Sequence, residues 1–340
     1  MIFRLLLTNG ISGVVGKYVC WQLFLIVFTI VIMTSSYSVA QTKYPPVMID
    51  MVFGEPVPMN QALDDMATAR IVYLGEHHTV PRHHKFQLEI IKGLVERGLD
   101  IAIGMEMFSI EQQGALTEWL QSGSHLDELI IKLGKERWNN LNDYAGIMYF
   151  ARQVKSPIIC LNAPDALVRK VAKEGLGGLD ESQLESVPKD VNEINPQYER
   201  LLRLKLRVHK SFQEKKLDRI ILAQAVRDSV MARSAVDYLK SDYGAGKTMI
   251  IIAGSGHLNY GFGIPEKVGR HFDAPYRIAL PSESGELVLT EQELRHAVPV
   301  EITHSDLSFI KVRIADYLSV LPLREDESAK GVEMIQAGIQ

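Results

Sequence analysis

The sequence is poor in cysteine. Cys20 and Cys160 are the only two in 340 residues, which excludes a disulfide-stapled scaffold. Excess positive charge is missing too. Lys and Arg total 37 against 41 Asp and Glu, a formal net charge of −4. That excludes a general attraction to nucleic acid or to an anionic membrane surface. Internal repeats and low-complexity tracts are absent, and so are the glycine signatures of nucleotide binding. In "GAGKT" at 244–248, Ser241 stands where a phosphate-binding loop needs glycine. "GFGIPE" at 261–266 fails the dinucleotide fingerprint, and "GSGH" at 254–257 has the wrong spacing for a serine nucleophile elbow.

The first forty residues lack any acidic side chain and carry two basic ones, Arg4 and Lys17. An apolar run of ~16 residues, Tyr18 to Met33, follows, against the ~20 needed to span a bilayer. The segment closes on Ser38-Val39-Ala40, a small-x-small cleavage pattern. Residues 1–40 therefore read as an export signal. Left uncleaved, they would be an N-terminal anchor and the only membrane contact. Cys20 lies too early in the apolar run to serve as a lipidation site. Cleavage removes two positive charges and takes the net charge from −4 to −6. The mature chain keeps only Cys160, in the strand-like run "PIICLNAP", where a lone cysteine acts as a small buried hydrophobe. The protein is expected to be exported, to the periplasm or the cell surface.

The remainder is 41–325, with 326–340 expected as a mobile tail. Residues 41–56 are Pro-rich and read as an extended lead-in. Four short apolar runs then stand out: "ARIVYLG" (69–75), "LDIAIGM" (99–105), "SPIICLN" (156–162) and "TMIIIAG" (248–254). Each is unbroken, without polar alternation, as parallel strands covered on both faces should be. "HHKFQLEIIKGLVERG" between the first two reads as a helix stopping at Gly98. Strand–helix–strand repeats imply an α/β fold, a mostly parallel sheet flanked by helices. The stretch 110–242 is mostly helical and reads as an inserted subdomain or cap. "YRIAL", "ELVLT" and "FIKVRIADYL" are further strand candidates.

The polar residues cluster where these strands end. Glu76, His77 and His78 follow the first, Glu106 the second, Asn162 and Asp165 the third, and His257 the fourth. Ligands of open parallel sheets bind beyond the carboxyl ends of strands. Two imidazoles and two carboxylates, His78, His257, Glu76 and Glu106, make a donor set suited to a divalent metal ion. With a bound water, Glu76 and Glu106 would be the catalytic residues of a hydrolase. The stretch 71–84 holds four of the ten histidines. His83 and His84 lie in a helix start with Pro81 in its first turn, and both fall on apolar stripes. Gln224, Arg227 and Asp228 share one face of an otherwise apolar helix with Ile220 and Met231. Arg227 on such a face suits a carboxylate or phosphate group.

Gly75-Glu76-His77-His78 with Pro81 and "HH" at 83–84, then "GMEMF" (104–108), "NAP" (162–164), "AQAVRDSVMA" (223–232) and "GSGH" (254–257), resemble the ChaN-type heme-binding family in that order. The likeness runs from about residue 50 to about 275. It implies an exported α/β protein that binds heme in iron uptake, with a homodimer sandwiching the heme. The wider superfamily includes Tiki-type metalloproteases and erythromycin-esterase-like hydrolases. By that match Gly75 to His78 and Gly254 to His257 are the two Gly-x-x-His elements, and Glu76 and Glu106 the acidic partners. On this reading heme occupies an apolar slot with an axial His or Tyr. His78, His257, Arg227, Gln224 and Asn162 are the candidate heme-binding residues. The absence of a lipidation cysteine departs from the family pattern.

Overall fold

The computed structural model describes residues 47–206, 213–282 and 302–320. The expected signal, the strand candidate "ELVLT" and the expected tail lie outside the described residues. Eight strands form one sheet: β1 (Val47–Asp50), β2 (Glu55–Val57), β3 (Ile71–Glu76), β4 (Ile101–Ser109), β5 (Ile158–Asn162), β6 (Thr248–Gly254), β7 (Tyr276–Ser282) and β8 (Tyr317–Val320). Their order is β2-β1-β8-β7-β3-β6-β4-β5. The block from β8 to β5 is parallel throughout, and β1 joins both β2 and β8 antiparallel.

The long apolar runs occupy the centre of the sheet because only there are both faces covered. All residues of β3 and β6 are buried. Alternation divides each strand between two cores. Val72, Leu74, Ile103, Met105, Ile250 and Ile252 enter one, with Phe86, Ile90 and Leu94 of helix α2 (Pro81–Glu96). Ile71, Tyr73, Met249 and Ile251 enter the other, with Met231, Ala235 and Leu239 of the long helix Glu214–Lys240. Helix α2 starts with Pro81 in its first turn, and Gly98 takes φ +82° just past its end, where a side chain would be strained.

The other helices are α1 (Met59–Met66), α3 (Gln113–Gln121), α4 (Leu126–Leu133), α5 (Ala145–Gln153), α6 (Asp165–Glu174), α7 (Glu181–Ser186), α8 (Pro196–Leu206), the long α9 (Glu214–Lys240) and α10 (Ile264–His271). Two details differ from the sequence reading. The lead-in contains the β1–β2 hairpin, with Gly54 at φ +72° in its turn. Its strands are short, partly exposed and carry Pro56, features of a sheet edge that leave no hydrophobic run to notice. "FIKVRIADYL" contributes strand only from Tyr317, since Phe309–Asp316 is turns and loop. "YRIAL" lies within β7.

Candidate functional site

Register brings the strand ends level. Glu76 pairs with Gly254 across β3 and β6, and Met105 with Ile252 across β4 and β6. The β4–β5 register shifts between Met105 and Ser109, so Glu106 sits at an irregularity of the kind that re-aims side chains. Alternation sends Glu76 toward the α2 side and Glu106 toward the α9 side. Both are buried, at 1% and 2% exposure.

Glu76 is a hub. Its Oε1 lies 2.6 Å from His78 Nδ1 and accepts the Tyr144 hydroxyl. Its Oε2 accepts from Gln87 Nε2 at 2.9 Å. Tyr144 closes a short 3₁₀ turn, Leu141–Tyr144, before α5. Asn140, next to that turn, donates to the His78 carbonyl. With Nδ1 held by a carboxylate, Nε2 is the open nitrogen of His78. That ring is one-third exposed and meets Trp138 at 5.0 Å, nearly perpendicular. Burial works against a charge on His78. The bond to Glu76 and the charge of Glu106 outweigh it and raise its pKa.

The second histidine is enclosed. His257 ends the 3₁₀ turn Ser255–His257 after β6. Its Nδ1 lies 2.5 Å from Asp228 Oδ1, and its Nε2 3.3 Å from Glu106 Oε1. Asp228 on α9 also accepts the Tyr198 hydroxyl at 3.0 Å, and Gln224 Nε2 stands 3.0 Å from His257 Nδ1. Glu106 Oε2 accepts the Gly254 N–H at 2.7 Å. Burial disfavours a charge on His257, but Glu106 and Asp228 overcome it and hold the imidazolium up to about 10. Burial likewise opposes the Glu106 carboxylate, and His257 overcomes it, holding Glu106 down to about 2. Gly254 separates the halves. A Cβ there would lie 2.9 Å from His78 Nε2 and 3.0 Å from its Cε1, so any side chain would require the His78 ring to shift.

Thus His78, His257, Glu76, Glu106 and Gln224 lie at one sheet edge. Asn162 joins them from β5, its Nδ2 donating to the Glu106 carbonyl at 3.0 Å. Arg227 does not. Its Nη2 reaches Asp165 Oδ1 at 3.1 Å, at the start of α6. Of the other three histidines of 71–84, His84 also reaches the cluster, its Nε2 3.6 Å from Glu76 Oε2. His77 is exposed, and its backbone N–H donates to His83 Nδ1 at 2.8 Å, so His83 braces the turn. His84 is buried against Tyr144, rings 4.1 Å apart, with neither nitrogen hydrogen-bonded. Tyr144, Tyr198, Gln87 and Trp138 were not legible beforehand, because an aromatic or amide in a turn or helix reads as core.

The four-ligand divalent-metal set finds no support among the described residues. Among the described residues no group of three or more His, Cys, Asp or Glu side chains is arranged to hold a metal ion. The reason is local. Both Nδ1 atoms face carboxylates, Glu106 Oε2 binds a backbone N–H, and His257 Nε2 faces Glu106. The cavity beside Glu106 measures about 110 Å³. A larger one, about 960 Å³, is lined by Met51, Tyr260, Tyr276, Lys311 and Arg313 and by none of the strand-end residues.

Residues 62–268 match the haem-binding uptake family, ChaN of the Tiki superfamily. The chain belongs to that family. In structure it is similar to ChaN of Campylobacter jejuni, described with cofacial heme binding. The TM-score is 0.61 at 17% identity, over 83% of this chain and 98% of that one. An erythromycin esterase in an open conformation gives a TM-score of 0.41 at 16% identity, over 69% of this chain and 76% of that one. In sequence the chain is 25% identical, over 71% of its length, to RETICULATA-RELATED 5, a chloroplastic protein of Arabidopsis thaliana. It spans only 34% of that protein. The ChaN family's α/β fold, with its mostly parallel sheet, is the fold described above.

Proposed function

We propose that this ChaN-family protein binds heme at the sheet edge, with His78 as the protein's donor, and that it serves heme or iron uptake outside the cytoplasm. One observation carries the reading. His78 alone among the clustered histidines combines a partly exposed ring with an Nδ1 fixed by a buried carboxylate. Such a carboxylate orients a ligating imidazole and raises its basicity. The donor chemistry therefore fits heme iron. Ligand pockets usually offer ~300–1,000 Å³, so the small cavity beside Glu106 cannot enclose a porphyrin. Heme would lie across the edge, against Trp138, with its outer face covered by a second copy of the chain. When bound it would supply the iron to be carried. His257, Gln224 and Asn162 form the polar floor, and residues 1–40 would direct export. Titrating the protein with heme tests this: a saturable Soret shift supports it, and a free-heme spectrum at every ratio rejects it.

A second reading, metal-free hydrolysis, draws on the same groups. His78 Nε2 would take a proton from water, and the charged His257 would steady negative charge near Glu106. Ester turnover that is lost in a folded Glu106→Gln variant would favour it, and unchanged turnover would remove Glu106 from the chemistry.

A further inference from the structure

Two cations in the last turn of α8 fare differently. Arg203 is tied to Glu199, Glu214 and Asp218. Lys205 has no carboxylate partner among the described residues, and the influence on its pKa is burial, which lowers it. The residue is still exposed, so a ligand can reach it.

Helix α8 carries Lys205 to the candidate site. Its buried residues are Tyr198, Leu201 and Leu204. The Tyr198 hydroxyl reaches the floor of the site, 3.0 Å from Asp228 Oδ2 and 3.1 Å from the Gly256 carbonyl oxygen. Lys205 lies two turns further along, ~10.5 Å on and within about 20° of the same face. Tyr198 thus fixes the helix over the floor, and Lys205 comes to the rim. Burial and then the charge of Lys205 lower the His77 pKa, so the ammonium is within electrostatic reach of the residue that precedes His78. A cation in a helix's last turn also eases its unpaired carbonyls, a role open to Arg203 in the same turn. That role would not depend on what binds at His78, so the two are separable.

A carboxylate on the ligand would complete this arrangement. Heme carries two propionates at the edge of the macrocycle, away from the iron. A cation beside the iron donor, and not at it, suits them. Arg227, the cation that the sequence marked for a carboxylate, is held by Asp165 instead.

We propose that Lys205 binds a propionate of the heme held at His78, and so selects ligands that carry a carboxylate. The proposal rests on the heme reading above. The test is titration of the full chain with heme and with heme dimethyl ester, in the same dilute detergent, read at the Soret band. Lys205→Ala should weaken heme about five-fold, the scale of a partly exposed ion pair, and leave the Soret position unchanged because His78 still donates. Lys205→Glu should weaken it further, and Lys205→Arg should retain most of the affinity. The ester should bind wild type more weakly than heme does, and should bind wild type and Lys205→Ala alike. The wild-type comparison of heme with its ester needs no variant, and equal affinities there overturn the proposal. So does heme affinity unchanged in both Lys205→Ala and Lys205→Glu, or an equal loss for heme and ester in Lys205→Ala, the mark of a structural role. These results leave the heme reading standing. No saturable shift with wild type overturns that reading and the proposal together.

Discussion

His78 and His257 each set Nδ1 against a carboxylate, at 2.6 and 2.5 Å, and both approach Glu106. Their other nitrogens differ. His257 Nε2 meets Glu106 at 3.3 Å in a side chain only 8% exposed, whereas His78 Nε2 stands 3.9 Å away in one 33% exposed. The same pair of residue types thus makes a closed buried ion cluster on one side of Gly254 and an open donor on the other. The closed half holds the edge together, and the open half is where a ligand can arrive. Burial decides which role a carboxylate-held histidine plays.

The largest effect should fall on the closed half. Asp228→Ala leaves the His257 imidazolium short of a partner in a buried site, at a cost of about 3–5 kcal/mol by denaturant unfolding. His78→Ala should cost less, because His78 is partly solvated and Glu76 keeps its bonds from Tyr144 and Gln87. Equal losses would erase the distinction between the halves.

The next effect is pH dependence. Glu106 is depressed from 4.5 to about 2, so its contribution is present above 4.5 and lost as pH falls toward 2. His257 is raised from 6.5 to about 10, so its contribution is full below 6.5 and lost as pH rises toward 10. Thermal midpoints should therefore be highest between 4.5 and 6.5 and decline on both sides. The alkaline decline should shrink in Asp228→Asn. A wild-type profile flat from neutral to alkaline pH would contradict the closed cluster.

Tyr144→Phe should cost about 1 kcal/mol, one hydrogen bond. It also frees Glu76 Oε1 for His78, so the His78 pKa followed by NMR should rise. A fall would mean that Tyr144 does not act through Glu76. The smallest effect belongs to Arg227→Ala. Its ion pair with the well-exposed Asp165 is worth under about 1 kcal/mol, and the heme spectrum should not move.

The difference between the halves also shows what could be read from the sequence. The central strands were legible because burial on both faces leaves unbroken apolar runs. Glu76, His78, Glu106 and His257 stood out because each follows such a run. The edge hairpin had no such signal. On α9 the pattern marked Gln224, Arg227 and Asp228 together but could not rank them. At ~3.6 residues per turn Asp228 lies roughly 40° from Gln224, whereas Arg227 lies roughly 60° to the other side, toward α6. Exposure was not legible at all, so His78 and His257 looked equivalent and suggested one shared metal site.

The most direct measurement compares heme titrations of wild type, His78→Ala and a folded His257→Gln. The account predicts that His78→Ala abolishes or displaces the Soret shift while His257→Gln keeps its position. A wild-type spectrum in His78→Ala would contradict it and place the heme donor elsewhere in the chain.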